Sequence, residues 1–374
     1  MSLGLVIAVV LIALTFTYIN GFHDTANSIA TVVATKVLTP GQAVLLAAIT
    51  NMIGAMWGTA VAATIAAGIV NTGVVDAGSQ LLICALLSAI VWNLITWWLG
   101  LPSSSSHALV GALVGAAIAE SGGRFAAVIW AQGGAHWWEG KGVFPKVVMP
   151  MVVSPIMGFA LGFLLMGGLY ALLAWFASRK GFLRYLGRTP FVNSFFGKAQ
   201  ILSASAMGLA HGMNDAQKSM GIIALALASA TTAGQFDGLP EWLSFLRIHA
   251  STHGGFAVPS WVAVVCALTM AGGTAGGGWR IIKTLGHKMV KLHPINGFAA
   301  EGSSALVILG ASMFGLPVST THVVSSSIMG VGAAKRFNAI RWSVVERMVW
   351  AWILTLPVTA LLAYGFVYLA RAWS

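Results

Sequence analysis

Two aspartates, Asp24 and Asp215, lie inside long apolar runs, and the residues around one repeat those around the other. The first stretch reads Gly21-Phe22-His23-Asp24-Thr25-Ala26-Asn27, the second Gly212-Met213-Asn214-Asp215-Ala216-Gln217-Lys218. A carboxylate at bilayer depth costs about 2.5–3.5 kcal/mol on insertion scales unless something compensates it. A chain that places one twice, in matching surroundings, is expected to use it to handle an ion. Three residues after each Asp stand Asn27 and Lys218, one helical turn on and therefore on the carboxylate's face. Lys218 is thus read as a buried cation that either neutralises Asp215 or touches an anion directly. Snorkelling of its ammonium to an interface is the bland alternative.

A second pair of motifs supplies the opposite chemistry. Leu101-Pro102-Ser103-Ser104-Ser105-Ser106-His107 is matched by Leu316-Pro317-Val318-Ser319-Thr320-Thr321-His322. In each, Pro opens a helix whose first turn presents hydroxyls and free backbone N–H groups at the positive dipole end. Two such helix starts predict an anion site built from Ser104, Ser105, Ser106, Ser319, Thr320 and Thr321, with Asn27 and Lys218 beside it. One serine run alone would be read as capping or close packing. The carboxylates would repel that anion unless a proton or cation sits on them. Asp24, Asp215, Asn214 and a further intramembrane acid, Glu301, are therefore assigned to the coupling ion. Thermodynamic reciprocity then makes ion and anion promote each other's binding. No firm metal site emerges; Asp24 and Asp215 are the candidates should a cation bind. His107 and His322 are read as packing residues in the first instance. His136, His249, His253, His287 and His293 show no ligand spacing. Cys84 and Cys266, both in apolar segments, are read as packing residues.

The elements that must position these groups cross a membrane. The chain of 374 residues is 58% hydrophobic and 8% charged, with a mean hydropathy of +0.86, which excludes a soluble globular domain. Apolar stretches near 3–17, 44–70, 81–99, 147–177 and 258–278 have spanning character. The first lacks a basic n-region and is read as a retained helix. The net charge of +11 is concentrated in 179–198, 280–291 and 335–347. This is a topological bias that makes a nucleic-acid partner unnecessary. Asp76, Glu120, Glu139, Asp237 and Glu241 fall in the other loops.

The motif order defines two halves, 1–178 and 201–374, joined by a basic linker at 179–200. If the basic clusters are cytoplasmic, the second half makes an odd number of crossings. The halves are then inverted relative to each other, as in secondary transporters. The predicted fold is an all-α polytopic membrane protein of about 10–12 membrane segments. It has broken and re-entrant helices, with breaks at Asn20-Gly21, at His211-Gly212 and at each Gly-Leu-Pro. The linker is placed in the cytoplasm of a cell (inner or plasma) membrane protein, with both termini outside. No motif sets the oligomeric state, and a homodimer is compatible with the sequence.

These motifs resemble the PiT family of inorganic phosphate transporters. The Asp motifs are similar to that family's duplicated G-x-N-D-x-x-N signature and the Pro–hydroxyl–His segments to its other pair, and the likeness runs over the whole chain. It implies a phosphate symporter working by alternating access, of the bacterial low-affinity type, without an organic cofactor and without enzymatic activity. Within the family, bacterial members are implied to carry phosphate as a metal complex. His23 stands where the family has Asn, Lys218 where sodium-coupled members have a second Asn, and Asn51 where animal members have Glu. These departures favour H⁺ over Na⁺ as coupling ion; Glu301 matches an acid of sodium-coupled members and favours the reverse. Phosphate keeps a proton to donate to a carboxylate, which sulfate lacks, so sulfate is the second substrate. Two other classes make distinct predictions. An intramembrane hydrolase needs a Ser–His pair within 103–107, and an anion channel needs no titratable pair.

Overall fold

The computed structural model describes residues 3–75, 77–134, 140–248, 250, 251, 255, 256, 258–276 and 278–373. Asp76, His136, Glu139, His249, His253 and the side chain of His287 lie outside the described residues. The first half contains α1 (Leu3–Ala34), α2 (Pro40–Ala55), α3 (Ala60–Ala67), α4 (Ser79–Leu99), α5 (Ser105–Glu120) and α6 (Met149–Ser178). A short α7 (Phe182–Leu186) leads into the second half. There follow α8 (Thr189–Thr232), α9 (Ser260–Gly276), α10 (Trp279–Lys283), α11 (Pro294–Met313), α12 (Thr320–Lys335) and α13 (Trp342–Ala372). A two-residue ladder, β1 (Ala250–Ser251) with β2 (Gly255–Phe256), and two isolated bridges, Val70–Val128 and Gln132–Lys141, are the β pairings among the described residues of an otherwise all-α fold. The predicted linker is mostly helical, because Pro190 in the first turn of α8 starts that helix early.

Among the described residues, α1, α4, α6 with its preceding turn, and α13 are each long and apolar enough to cross a membrane. Two further spans arise if each bent pair counts once: 40–55 with 60–66, bent by 70°, and 260–276 with 280–286, bent by 60°. The two bends fall at the same point of each half, just after the Asp-bearing helix. In order along the chain, α1 stands where α8 does, the bent pairs correspond, and α4, α5 and α6 stand where α11, α12 and α13 do.

The two Gly-Leu-Pro sites stop helices as expected. Gly100 and Gly315 take φ of 65° and 64°, the left-handed conformation that ends a helix at little cost only in glycine. The other two predicted breaks are absent: α1 runs unbroken through Asn20-Gly21, and α8 through His211-Gly212. The glycines serve contact instead. A Cβ on Gly21 would lie 2.6 Å from the carbonyl oxygen of Met270 on α9. A Cβ on Gly212 would lie 2.8 Å from Cα of Asn51 on α2. Each Asp-bearing helix thus crosses the bent pair of the other half at its motif glycine.

The halves interlock elsewhere in the same reciprocal way. Gly111 and Gly115 of α5 receive α13 at Leu356–Ala360, and Gly158 and Gly162 of α6 receive α12 at Val323–Ser327. Glycines four apart put two backbones in contact, which replaces the hydrophobic drive that lipid cannot give. The buried centre therefore holds α1, α5, α8 and α12, which carry the motifs.

Candidate functional site

The hydroxyl motifs and the aspartates meet in one cluster. Ser104 and Ser319 are the N-caps of α5 and α12, accepting from His107 N at 3.2 Å and His322 N at 3.1 Å. That leaves Ser105, Ser106, Thr320 and Thr321 on the first turns, with N–H groups that have no partner within the helix. The two helix starts meet tip to tip. Ser106 Oγ donates to the Val318 carbonyl at 3.1 Å, and the rings of His107 and His322 stand edge to face with centroids 4.8 Å apart.

Around Asp24 the groups come from both halves. Ser105 donates to Oδ2 at 2.5 Å, Thr321 donates to Oδ1 at 3.4 Å, and His23 Nδ1 lies 2.8 Å from Oδ1. Asn20 donates to Ser105 Oγ at 2.6 Å, and Asn27 donates to Thr321 Oγ1 at 2.8 Å. Around Asp215, Lys218 forms an ion pair with Oδ1, His211 Nε2 lies 3.1 Å from Oδ2, and Thr320 donates to Oδ2 at 3.3 Å. The Lys218 ammonium also donates to Ser106 Oγ, joining the first half's hydroxyl run to the second half's acid. Lys218 is fully buried, at 0% exposure, so it does not snorkel. Asn214 is turned away from the acid, donating to Ser312 Oγ at 2.9 Å and the Leu316 carbonyl at 3.1 Å.

Oxygens of both aspartates and a ring nitrogen of His211 lie within 4.8 Å of one another, a spacing that could hold a cation. The sequence reading missed His211 as a ligand, although it lies four residues before Asp215 and so on its face. Asn20, the matching residue four before Asp24, was missed likewise. His211 Nδ1 is held 3.1 Å from Asn51 Oδ1, and Asn51 donates to Thr274 Oγ1 at 3.1 Å. Asn51 is thus a hydrogen-bond link between α2, α8 and α9.

Glu301 is brought to a different place. It accepts from Thr31, from Ser203 Oγ at 2.5 Å and from Gln200 Nε2 at 3.1 Å. Thr31 lies seven residues beyond Asp24, about 10 Å along α1. No cation pairs with Glu301 among the described residues. Three neutral side chains from α1 and α8 therefore hold this buried acid of α11 apart from the paired aspartates.

The serine–histidine arrangement of a hydrolase is not assembled. Neither ring nitrogen of His107 has a hydrogen-bond partner among the described residues, whereas a nucleophile needs its base within bonding reach.

Residues 20–363 match the model of the phosphate transporter family. The chain is 44% identical over 358 residues to a "Probable low-affinity inorganic phosphate transporter" of Bacillus subtilis (strain 168), covering 96% of this chain and 95% of that one. It is 40% identical over 365 residues to a protein of the same description from Rhizobium meliloti (strain 1021), covering 97% and 96%. A solved structure described as "The sodium-dependent phosphate transporter" shares the fold, with a TM-score of 0.78 at 23% identity over 99% of this chain and all of that one. An acid pair bracketed by two hydroxyl-bearing helix starts, in a multi-pass membrane fold, thus belongs with a match that runs nearly end to end: this chain is a member of the phosphate transporter family.

Proposed function

We propose that the chain is a proton-coupled inorganic phosphate symporter of the cell membrane, working by alternating access between two inverted repeats. The observation that carries this reading is the convergence of Ser105, Thr320 and Thr321 on Asp24 and Asp215, with Ser106 joined to Asp215 through Lys218. A hydroxyl has one proton to donate. While Asp24 is ionised it takes the protons of Ser105 and Thr321, and Asp215 takes that of Thr320. Protonation of a carboxylate removes its claim on them and frees them, with the helix N–H groups, Asn27 and Lys218, to bind phosphate. Proton and phosphate then bind together because the same donors serve one or the other.

Lys218 supports a proton over a sodium ion. Its ammonium already sits against Asp215, where a metal ion would have to displace a fixed charge. The cluster of Asp24, His211 and Asp215 favours the second reading, in which Na⁺ or the metal of a metal–phosphate complex binds there. The site residues are buried, each at 2% exposure or less. Exchange with either side therefore needs a second conformation, and the matched elements of the halves supply a symmetric way to make one. The basic residues of 179–198, 280–291 and 335–347 support a cytoplasmic linker with both termini outside.

Uptake of labelled phosphate into proteoliposomes tests the site. Asp24→Asn and Asp215→Asn each abolish it while leaving elution on gel filtration unchanged; normal uptake in both sinks the proposal. Imposed gradients test the coupling. An inward proton gradient drives accumulation without Na⁺, and a strict Na⁺ requirement at constant pH decides for the second reading.

A further inference from the structure

Away from the paired aspartates, a cavity of about 330 Å³ opens where the segment before α11, the end of α12 and the turn leading to α13 meet. Its size falls in the range of small-ligand pockets, roughly 300–1,000 Å³. Lys291, Lys335, Arg336 and Arg341 line it, and no acidic residue does. All four cations are exposed at its mouth. None of the ion pairs among the described residues involves them. The fold holds them there: Arg341 N donates to the Met289 carbonyl at 3.1 Å, and the His293–Asn296 capping box fixes the start of α11 at the cavity wall.

Four like charges around one cavity repel each other, and that repulsion is relieved by a multivalent anion between them. Topological charge bias calls for basic residues at one face of a membrane protein, but it does not require them to line a cavity. The matching corner of the first half is built otherwise. There the end of α5 carries Glu120, which pairs with Arg371 at 3.1 Å. The Val70–Val128 bridge joins the neighbouring loops.

We propose that the cavity between α11, α12 and α13 is a binding site for a phosphate-bearing anion, held by Lys291, Lys335, Arg336 and Arg341. Guanidinium groups suit phosphate oxygens through paired N–H donors, and basic pockets between membrane helices take anionic lipid headgroups. The ligand is either the phosphodiester of an anionic lipid or free phosphate, and neither alternative depends on the transport reading above.

The test uses the purified full-length protein in neutral detergent, as wild type, as R336Q/R341Q and as K180Q/R184Q, which removes two cations elsewhere. Native mass spectrometry reads adducts with cardiolipin, phosphatidylglycerol and, as zwitterionic control, phosphatidylcholine. Equilibrium binding reads labelled inorganic phosphate in the same variants on a D24N/D215N background. If the ligand is a lipid, R336Q/R341Q loses cardiolipin affinity by more than about tenfold, since two charge-assisted bonds go. K180Q/R184Q and the phosphatidylcholine control are then unaffected. If it is free phosphate, the phosphate binding that remains without the two aspartates falls by a similar factor in R336Q/R341Q alone. Anion binding that is the same in R336Q/R341Q as in wild type, with both probes, overturns the proposal. Lys180, Arg184, Arg336 and Arg341 are exposed, and a melting temperature unchanged from that of the same background without these substitutions confirms that the variants fold.

Discussion

The two halves carry one frame and different chemistry. At Asp24 the neighbouring groups are Asn20, His23 and Asn27; at the same offsets from Asp215 stand His211, Asn214 and Lys218. Both aspartates are buried and both accept from a hydroxyl at a helix start. Among the described residues, Asp215 has a lysine partner and Asp24 has none. A second contrast lies one layer away. Glu301 sits among Thr31, Gln200 and Ser203. Counting from the motifs, the equivalent residues are Leu86, Ile222, Val9 and Ile12, and they pack in one hydrophobic cluster. The positions that set geometry repeat, namely the glycine at the helix crossing, the aspartate, the Gly-Leu-Pro stop and the hydroxyl cap. The positions that set charge do not. In the proposed symporter a duplicated frame would provide two related conformations, while the asymmetric filling would set the ion that each half handles.

Removing the cation tests that contrast most severely. Lys218→Met leaves Asp215 buried without its partner and should cost about 3–5 kcal/mol, read as a lower melting temperature in detergent together with lost uptake. The double variant D215N/K218M should recover most of the stability and none of the transport. At the matching place in the first half, Asn27→Ala should cost only about 1 kcal/mol. Equal effects of Lys218→Met and Asn27→Ala would erase the proposed asymmetry.

The Glu301 contrast gives the next effect. Glu301→Leu leaves the Thr31 hydroxyl and the Gln200 amide nitrogen buried without the acceptor they use, at about 1–3 kcal/mol per unsatisfied group. Copying the first half with T31I/Q200V/S203I/E301L should restore melting above that of Glu301→Leu alone. Failure to recover would mean that the two layers are not equivalent.

Where the halves share geometry, they should respond alike. Gly21→Ala and Gly212→Ala each push a methyl into the backbone of the crossing helix and should each cost about 1–3 kcal/mol. A hinge at these glycines, rather than a crossing, would make both substitutions neutral in melting and harmful only in transport rate. The smallest effect is at the caps: Ser104→Ala and Ser319→Ala should each lower stability by about 1 kcal/mol. A large difference between the two would show that one serine does more than cap.

Much of the site was legible because its residues violate the composition around them. Asp24, Asp215, Glu301 and Lys218 stand out in an apolar chain, and repetition of their neighbours separated meaning from chance. His211 and Asn20 were legible too, since a spacing of four places them on the face of the acid. The glycines beside them, Gly212 and Gly21, carry the competing signature of a helix break. A glycine has the same sequence signature whether it bends a helix or admits another. The neighbour that distinguishes the two cases, Asn51 or Met270, lies far away in the chain. Thr31 and Gln200 as partners of Glu301 carry no local signal at all.

By itself the sequence determined the helices, the matched stops at Gly-Leu-Pro and the membrane environment, because these follow from local backbone preference and from apolar length. It also determined that two acids and two hydroxyl runs form pairs, because the motifs repeat in order. It took the packed helices to bring Ser105 and Thr321, far apart in the chain, onto Asp24, to let Lys218 bridge Asp215 to Ser106, and to hold Glu301 apart from both. Those contacts join residues tens to hundreds of positions apart. They are set by where glycine-faced helices can approach, a property of packed surfaces that no window of sequence contains.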